Sequence, residues 1–161
     1  MINMKNINKE KYINALLFFI ENCNNQYLGK TKLNKLFYYL DFVYYRDHKK
    51  SVTGDIYICE QFGPVPNMID FIKSEAIKLQ LIKAEIIDEK TGKEKYSLLK
   101  MPNLTCFNSD EKNLLNKICK NFKSYTTNKI VDQTHFEAPW FYSELYEQID
   151  YNYASDIDII S

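Results

Sequence analysis

The chain has 161 residues, 21 basic and 21 acidic side chains, and 45% hydrophobic residues that include 13 tyrosines and 10 phenylalanines. This length predicts one domain with its own core, and the aromatic content excludes a chain that is disordered throughout. The balanced charge argues against a nonspecific nucleic-acid binder, which needs a basic excess. No apolar run reaches the roughly 20 residues of a membrane span. The four cysteines form no C-x-x-C pair, so we expect a cytoplasmic protein with reduced thiols and no metal site.

The charge is distributed unevenly along the chain. Residues 1–50 have a net charge of +5, whereas residues 130–161 carry seven acidic side chains and no Lys or Arg. Such opposite ends can pair within the chain, or the acidic end can attract a basic partner. On the second alternative, Glu144, Glu147 and Asp150 are candidate partner-binding residues.

Hydrophobic periodicity predicts a mainly helical chain. Asn8 is placed to cap a first helix and Thr31 a second helix of about 16 to 18 residues. Asn108 and Glu111 form a capping-box pattern at the start of a later helix. The helices predicted after the second one span about 66–80, 108–122, 127–133 and 139–149.

Three short strands are predicted between the helices. The first covers Ile56–Phe62 and stops at Gly63, where two prolines follow, while Leu81–Asp88 and Glu94–Leu99 read as a hairpin. We therefore predict an α+β fold, predominantly helical, with five or six helices and a small antiparallel sheet at about 56–61, 81–87 and 94–99. The domain is expected to cover 1–150, followed by a partly mobile acidic tail at 151–161. The residues expected in the core are Leu36, Leu40, Ile69, Ile72, Ile118 and Trp140.

The sequence contains no arrangement that indicates catalysis. A nucleophile needs a neighbouring base, and the two histidines, His48 and His135, are far apart in the chain. We expect His48 to be a solvated residue at a helix end, and His135 to be a turn residue that donates to a backbone carbonyl. The prediction is a protein without enzymatic activity or cofactor.

An aromatic run marks the second helix, with six aromatic residues in nine positions from Phe37 to Tyr45. Either the helix packs centrally between neighbours, or it presents a tyrosine-bearing binding face that includes Tyr39 and Tyr45. Stacking on nucleic-acid bases, beside Lys30, Lys32 and Lys35, is a weaker variant of the second interpretation.

Three segments, taken in order, resemble the Panacea domain family of SocA-like and GepA-like proteins, which are associated with phages and toxin–antitoxin systems. They are Thr31–Asp41, then Gly54–Tyr57 with Phe62–Pro66, and Thr134–Trp140. Phe37 and Cys59 depart from the family pattern at packing positions. The residues that carry the family motifs are Lys32, Leu33, Lys35, Leu36, Tyr38, Tyr39, Asp41, Gly54, Asp55, Gly63, Pro64, Val65, His135, Glu137, Pro139 and Trp140.

This resemblance implies an antitoxin that neutralises a co-encoded toxin by direct protein contact, or that delivers it to a cellular protease. The family has no established catalytic residues to carry over. The alternative is a phage or mobile-element protein that binds nucleic acid or a host regulator. In either case the motif residues have a scaffold or partner-binding role, and the resemblance implies a helical domain with a small β-element.

Overall fold

The computed structural model of the protein describes residues 4–161 and shows a helix-dominated α+β fold, as predicted. Its α-helices are α1 (Lys9–Cys23), α2 (Lys30–His48), α3 (Ile69–Lys78), α4 (Ser109–Phe122), α5 (Thr127–His135) and α6 (Ala138–Phe141). Its strands are β1 (Tyr57–Glu60), β2 (Gly63–Pro66), β3 (Ile82–Asp88) and β4 (Lys93–Leu98). Short 3₁₀ helices cover Leu104–Cys106 and Tyr151–Asp156.

Helix α2 is the central element of the core. Every residue from Lys32 to Tyr44 is buried, and the helix contacts β2, α4, α5 and the 3₁₀ helix that starts at Tyr151. Its aromatic rings point in different directions: Tyr39 stacks on Phe122 with ring centroids 4.3 Å apart, and Phe42 stacks on Tyr151 at the same distance. The aromatic run therefore belongs to a helix that is packed on all sides.

The prediction of one three-stranded sheet is wrong. Strands β1 and β2 form one antiparallel pair, with Ile58 opposite Val65, and β3 and β4 form a separate hairpin. The Gly63–Pro66 segment, expected to end a strand, is itself a strand. Proline is tolerated there because β2 is an edge strand. The N–H groups that Pro64 and Pro66 lack would point away from β1, so every hydrogen bond between the two strands can still form. Helix α3 accordingly begins at Ile69, later than predicted.

The predicted helix at 139–149 is also wrong, because α6 ends at Phe141. Residues 146–149 instead run beside β1, where Tyr146 N–H donates to the Cys59 carbonyl and Ile149 N–H donates to the Tyr57 carbonyl at 2.8 Å. Pairing with a distant strand thus replaces the local helical preference. Tyr146 has a φ of +68°, a conformation that is unfavourable for a bulky residue.

The acidic segment 151–161 packs against the rest of the protein. Ala154, Ile157 and Ile160 are buried in the same core as α2. The Arg46 guanidinium donates to the Ile157 carbonyl at 2.6 Å, so the segment is held by backbone and apolar contacts. The predicted boundary between a domain at 1–150 and a tail at 151–161 stays a prediction. Residues 1–3 of that predicted domain lie outside the residues that the structure describes.

Candidate functional site

The three family-motif segments converge where α2, β2 and α6 meet. The buried Lys35 ammonium donates to the Pro64 carbonyl at 2.9 Å, and Trp140 Nε1 donates to the Glu60 carbonyl at 2.8 Å. Gly63 has a φ of +103°, and a β-carbon there would lie 2.6 Å from Lys35 Cε and 2.6 Å from Thr134 Oγ1. The glycine is thus required both by its backbone conformation and by the close approach of α2 and α5.

Two buried carboxylates hold the connection between α2 and β1. Asp41 accepts hydrogen bonds from the backbone N–H groups of Val52 and Thr53, from the Thr53 hydroxyl and from the Tyr57 hydroxyl. Burial raises the pKa of Asp41 to about 6, against the opposing effect of these hydrogen bonds. Asp55 accepts from the Tyr12 hydroxyl and from Met68 N–H, both at 2.8 Å, and burial raises its pKa as well.

Glu137 is buried between α2 and α5. Its Oε1 accepts from the hydroxyls of Tyr38 and Tyr39, both at 3.0 Å, and its Oε2 accepts from Gln133 at 3.3 Å. Burial raises the pKa of Glu137 to about 7. The pKa values of both tyrosines are raised, first by burial and then by the nearby carboxylate. The motif tyrosines therefore act as hydrogen-bond donors in the interior, and Tyr39 is not available at the surface.

The motif lysines do not form a basic surface. Lys32 is buried and donates to the carbonyls of Lys123 and Tyr125, at 2.9 and 2.7 Å. Burial lowers the pKa of Lys32, and it lowers the pKa of Lys35 to about 7. The stacking variant beside Lys30, Lys32 and Lys35 is thereby contradicted, because two of its three cations are in the interior.

His135 and Trp140 stack on each other, with ring centroids 3.9 Å apart. His135 ends helix α5, and its Nε2 is buried without a hydrogen-bond partner among residues 4–161, so the expected bond to a backbone carbonyl is not formed by this atom. Trp140 is half-buried at the edge of the core, which corrects its prediction as a core residue. The other predicted core residues are buried. His48 is an exposed residue at the end of α2, stacked on Tyr44.

The remaining motif residues have structural positions. Leu33 and Leu36 are fully buried in α2, and Pro139 is buried in the first turn of α6, where its missing N–H is tolerated. Gly54 has a φ of +78° and passes directly against the backbone at Asn6, where a β-carbon would not fit. Within residues 4–161, no three His, Cys, Asp or Glu side chains are grouped so that they could hold a metal ion, and no helix is long and apolar enough to cross a membrane.

Large apolar side chains are exposed immediately after this buried network. The exposed fractions are 65% for Phe141, 64% for Tyr142 and 68% for Tyr146, and Leu145 and Tyr153 are also exposed. The rings of Tyr142 and Tyr153 are 5.8 Å apart. We define the acidic–aromatic surface as these five residues and the exposed carboxylates between them: Phe141, Tyr142, Leu145, Tyr146, Tyr153, Glu144, Glu147 and Asp150.

The negative charge of the residues after position 129 is not neutralised by ion pairs among residues 4–161. Six of the seven acidic residues after position 129 are exposed, Glu137 being the exception. None of the six is within ion-pair distance of a Lys, Arg or His in the part of the chain that the structure describes. The segment 151–161 thus lies against α2 of the basic first 50 residues, with Arg46 bonded to the Ile157 carbonyl, but no direct ion pair among the described residues neutralises its carboxylates, which remain exposed.

The candidate partner-binding residues differ in accessibility. Glu144, Glu147 and Asp150 are exposed, Tyr45 is half-buried with its hydroxyl 3.3 Å from Asn152 Oδ1, and Tyr39 is buried. Sequence reasoning missed Phe141, Tyr142 and Tyr146, because it placed them in a helix at 139–149, whereas the helix ends at Phe141. The available signal was large aromatic residues among carboxylates in a segment with no cation.

The comparisons with known proteins give one family. The family model described as "Antitoxin SocA-like, Panacea domain" matches residues 33–141. No curated protein and no solved structure matches the chain. The matched range includes the buried network from Leu33 to Trp140. It ends at Phe141, which is the first residue of the acidic–aromatic surface.

Proposed function

The chain belongs to the SocA-like antitoxin family with a Panacea domain, and from this premise we propose that it neutralises a co-encoded protein toxin by direct binding. The proposal places it in the bacterial cytoplasm, as part of a toxin–antitoxin system associated with phages. Membership of the family suggests that the protein binds another protein. That this partner is a co-encoded toxin is our proposal.

The observation that carries the proposal is the acidic–aromatic surface. Exposed aromatic residues are frequent in binding hot spots because they bury a large area with few rotatable bonds. Carboxylates without internal ion-pair partners raise the association rate with a basic protein by long-range attraction. Tyr146 supports this reading, since backbone strain in a bulky, exposed residue is typical of functional positions.

We propose that neutralisation involves no chemistry by the antitoxin. Two polar motif residues that a catalytic site could use have structural partners, since Glu137 receives two tyrosine hydroxyls and Lys35 holds the Pro64 carbonyl. The ring of the motif histidine, His135, is stacked on Trp140. The surface masks the toxin in this proposal, and delivery to a cellular protease is the alternative. The half-life of the toxin distinguishes the two, because masking leaves it unchanged and delivery shortens it.

Co-expression with the product of the adjacent open reading frame tests the function. We expect that product to be toxic alone and harmless with this protein present. Substituting Ala for Phe141, Tyr142 and Tyr146 should restore toxicity, whereas Ala at Ile86 and Ile87, two exposed apolar residues of the β3–β4 hairpin, should not. A neighbour that is harmless alone, or that remains toxic with the wild-type protein, would refute the antitoxin proposal.

The charge contribution needs a kinetic measurement on the purified pair. We expect the variant Glu144→Gln, Glu147→Gln, Asp150→Asn to associate about tenfold more slowly at low salt, with a smaller difference at high salt. The control neutralises three exposed carboxylates elsewhere, Glu21, Glu85 and Glu89. Equal association rates for the two variants would show that this surface does not steer the toxin.

A further inference from the structure

Residues 146–149 lie along the side of β1 that β2 leaves open. The Ile149 N–H donates to a β1 carbonyl at 2.8 Å, and the Glu147 carbonyl accepts from a β1 N–H at 2.9 Å. Gln148, between these two residues, lies opposite Ile58 in an antiparallel bridge. Strand β1 thus has an antiparallel neighbour on each side, and residues 146–149 form one outer strand of a three-stranded arrangement.

The backbone of Gln148 is free on the outer side of this strand. The hydrogen bonds of Glu147 and Ile149 are directed towards β1, so the N–H and C=O groups of Gln148 point away from it. Gln148 is exposed, and neither group forms a hydrogen bond among residues 4–161. An exposed strand edge with free N–H and C=O groups is a template for a further strand. The ligand that matches such an edge is a peptide segment in extended conformation.

A β-bulge places an aromatic ring at one end of this edge. Tyr146 and Glu147 together lie opposite Cys59, whose carbonyl accepts from the Tyr146 N–H at 2.6 Å and whose N–H donates to Glu147. The first residue of a bulge with positive φ is usually glycine, yet Tyr146 has a φ of +68°. Its side chain is exposed, so packing in the core does not account for a tyrosine at this position.

The charges around the edge distinguish between possible strands. Glu144, Glu147 and Asp150 are exposed, and none of them is within ion-pair distance of a cation in the described part of the chain. Opposite charges on adjacent strands stabilise their pairing, and like charges destabilise it. A second copy of this chain would bring the same carboxylates to the edge and is therefore disfavoured. A strand with Lys or Arg side chains is favoured.

We propose that the toxin binds by adding a basic, extended segment as a strand at this edge, hydrogen-bonded to the Gln148 backbone, with Lys or Arg side chains beside Glu147 and Asp150. The inference rests on the proposed function and specifies how the acidic–aromatic surface recognises its partner. The main-chain bonds hold the backbone of the segment, the carboxylates select its charge, and the Tyr146 ring contacts one end of it.

The variant Gln148→Pro tests strand addition by binding to the purified product of the adjacent open reading frame. Proline removes the outward N–H and obstructs an approaching strand, but it leaves every hydrogen bond between residues 146–149 and β1 in place. We expect binding at least about tenfold weaker than that of the wild type, as the loss of one or two hydrogen bonds predicts. The matched control is Gln148→Ala, which keeps the backbone groups and should bind as the wild type does.

Hydrogen exchange of the wild-type protein is a second measurement, which does not depend on the folding of any variant. The Gln148 amide should exchange rapidly in the free protein, because it is exposed and unpaired, and at least about tenfold more slowly in the complex. The Ile149 amide, which is bonded to β1, is the internal control and should be protected in both states.

Three results would overturn the proposal. Equal affinity of Gln148→Pro and Gln148→Ala, or exchange of the Gln148 amide that the toxin does not slow, would refute strand addition and leave the antitoxin proposal standing. Dimerisation of the wild type that Gln148→Pro abolishes would show that a second copy occupies the edge. If the wild type does not bind the neighbouring product at all, the proposed function fails and this inference fails with it.

Discussion

Glu137→Gln isolates the role of the buried carboxylate in stability. The substitution keeps the shape of the side chain and retains an oxygen that can accept from the hydroxyls of Tyr38 and Tyr39, 3.0 Å away in the wild type. It removes the titrating group. Gln133 can turn its own amide to accommodate the new neighbour, because its side chain is only half-buried. The two proteins should therefore differ mainly in how their stability depends on pH.

The pKa of Glu137 gives the sign and size of that difference. Burial raises it from the ordinary 4.5 to about 7, so the folded protein holds this proton more tightly than the unfolded chain does. The contribution of the carboxyl to stability is complete below pH 4.5 and is lost as the pH rises through about 7. One pKa unit corresponds to about 1.4 kcal/mol, so the wild type should lose about 2–3 kcal/mol relative to Glu137→Gln between pH 5 and pH 8.

Urea unfolding of both proteins at pH 5, 6, 7 and 8 measures this quantity. Asp41 and Lys35 also titrate in this range, but they are present in both proteins, and their effects cancel in the comparison. Asp132→Asn, which removes an exposed carboxylate of α5, is the control and should follow the wild type. If the stability difference between wild type and Glu137→Gln is constant from pH 5 to pH 8, the buried-carboxylate reasoning is refuted.

Three further substitutions test the packing of the motif network. Gly63→Ala should lower the free energy of unfolding, measured with urea, by at least about 1 kcal/mol more than Gly92→Ala does. Both glycines have positive φ, but only at Gly63 does a new β-carbon meet Lys35. Equal losses would contradict the steric argument. Asp41→Ala should cost about 3–4 kcal/mol, since four donors lose their acceptor; a loss below 1 kcal/mol would show that water replaces it. Trp140→Ala should cost about 2 kcal/mol, less than a fully buried tryptophan, and an unchanged melting temperature would leave Trp140 no role in folding.

The elements with local signals were predictable from the sequence. The Asn108 side chain accepts from Glu111 N–H while the Glu111 carboxylate accepts from Asn108 N–H, which is the capping box that the two residues predict. Asn8 caps α1 through Lys11 N–H, and the Gly92 turn joins β3 to β4. Each of these features depends on residues a few positions apart, so the sequence contains the whole cause.

The features that sequence reasoning missed depend on distant partners. Residues 146–149 lie extended because β1, almost 90 positions earlier, supplies their hydrogen bonds. Lys32 and Lys35 are buried because carbonyls of Lys123 and Pro64 receive their ammonium groups. A lysine on a predicted helix face is normally solvated, and nothing adjacent in the sequence indicates an interior carbonyl. The carboxylates of the acidic–aromatic surface were predicted from the charge distribution of the sequence. Its aromatic residues were not, because their exposure depends on the fold.

The core extends beyond the residues that match the family model, and this affects the design of truncated fragments and chimeras. The recognisable segment, residues 33–141, lacks α1, whose Tyr12 hydroxyl bonds to Asp55, and it lacks Ile149, Ala154, Ile157 and Ile160, which are buried beside α2. A fragment with those limits would leave the central helix uncovered on two sides and should aggregate when expressed alone. In this chain the apolar residues outside 33–141 therefore fill volume that the central helix needs. Chimeras between relatives should exchange α1 and the closing segment together with the centre, because the cooperative unit is wider than the sequence signature by which the family is recognised.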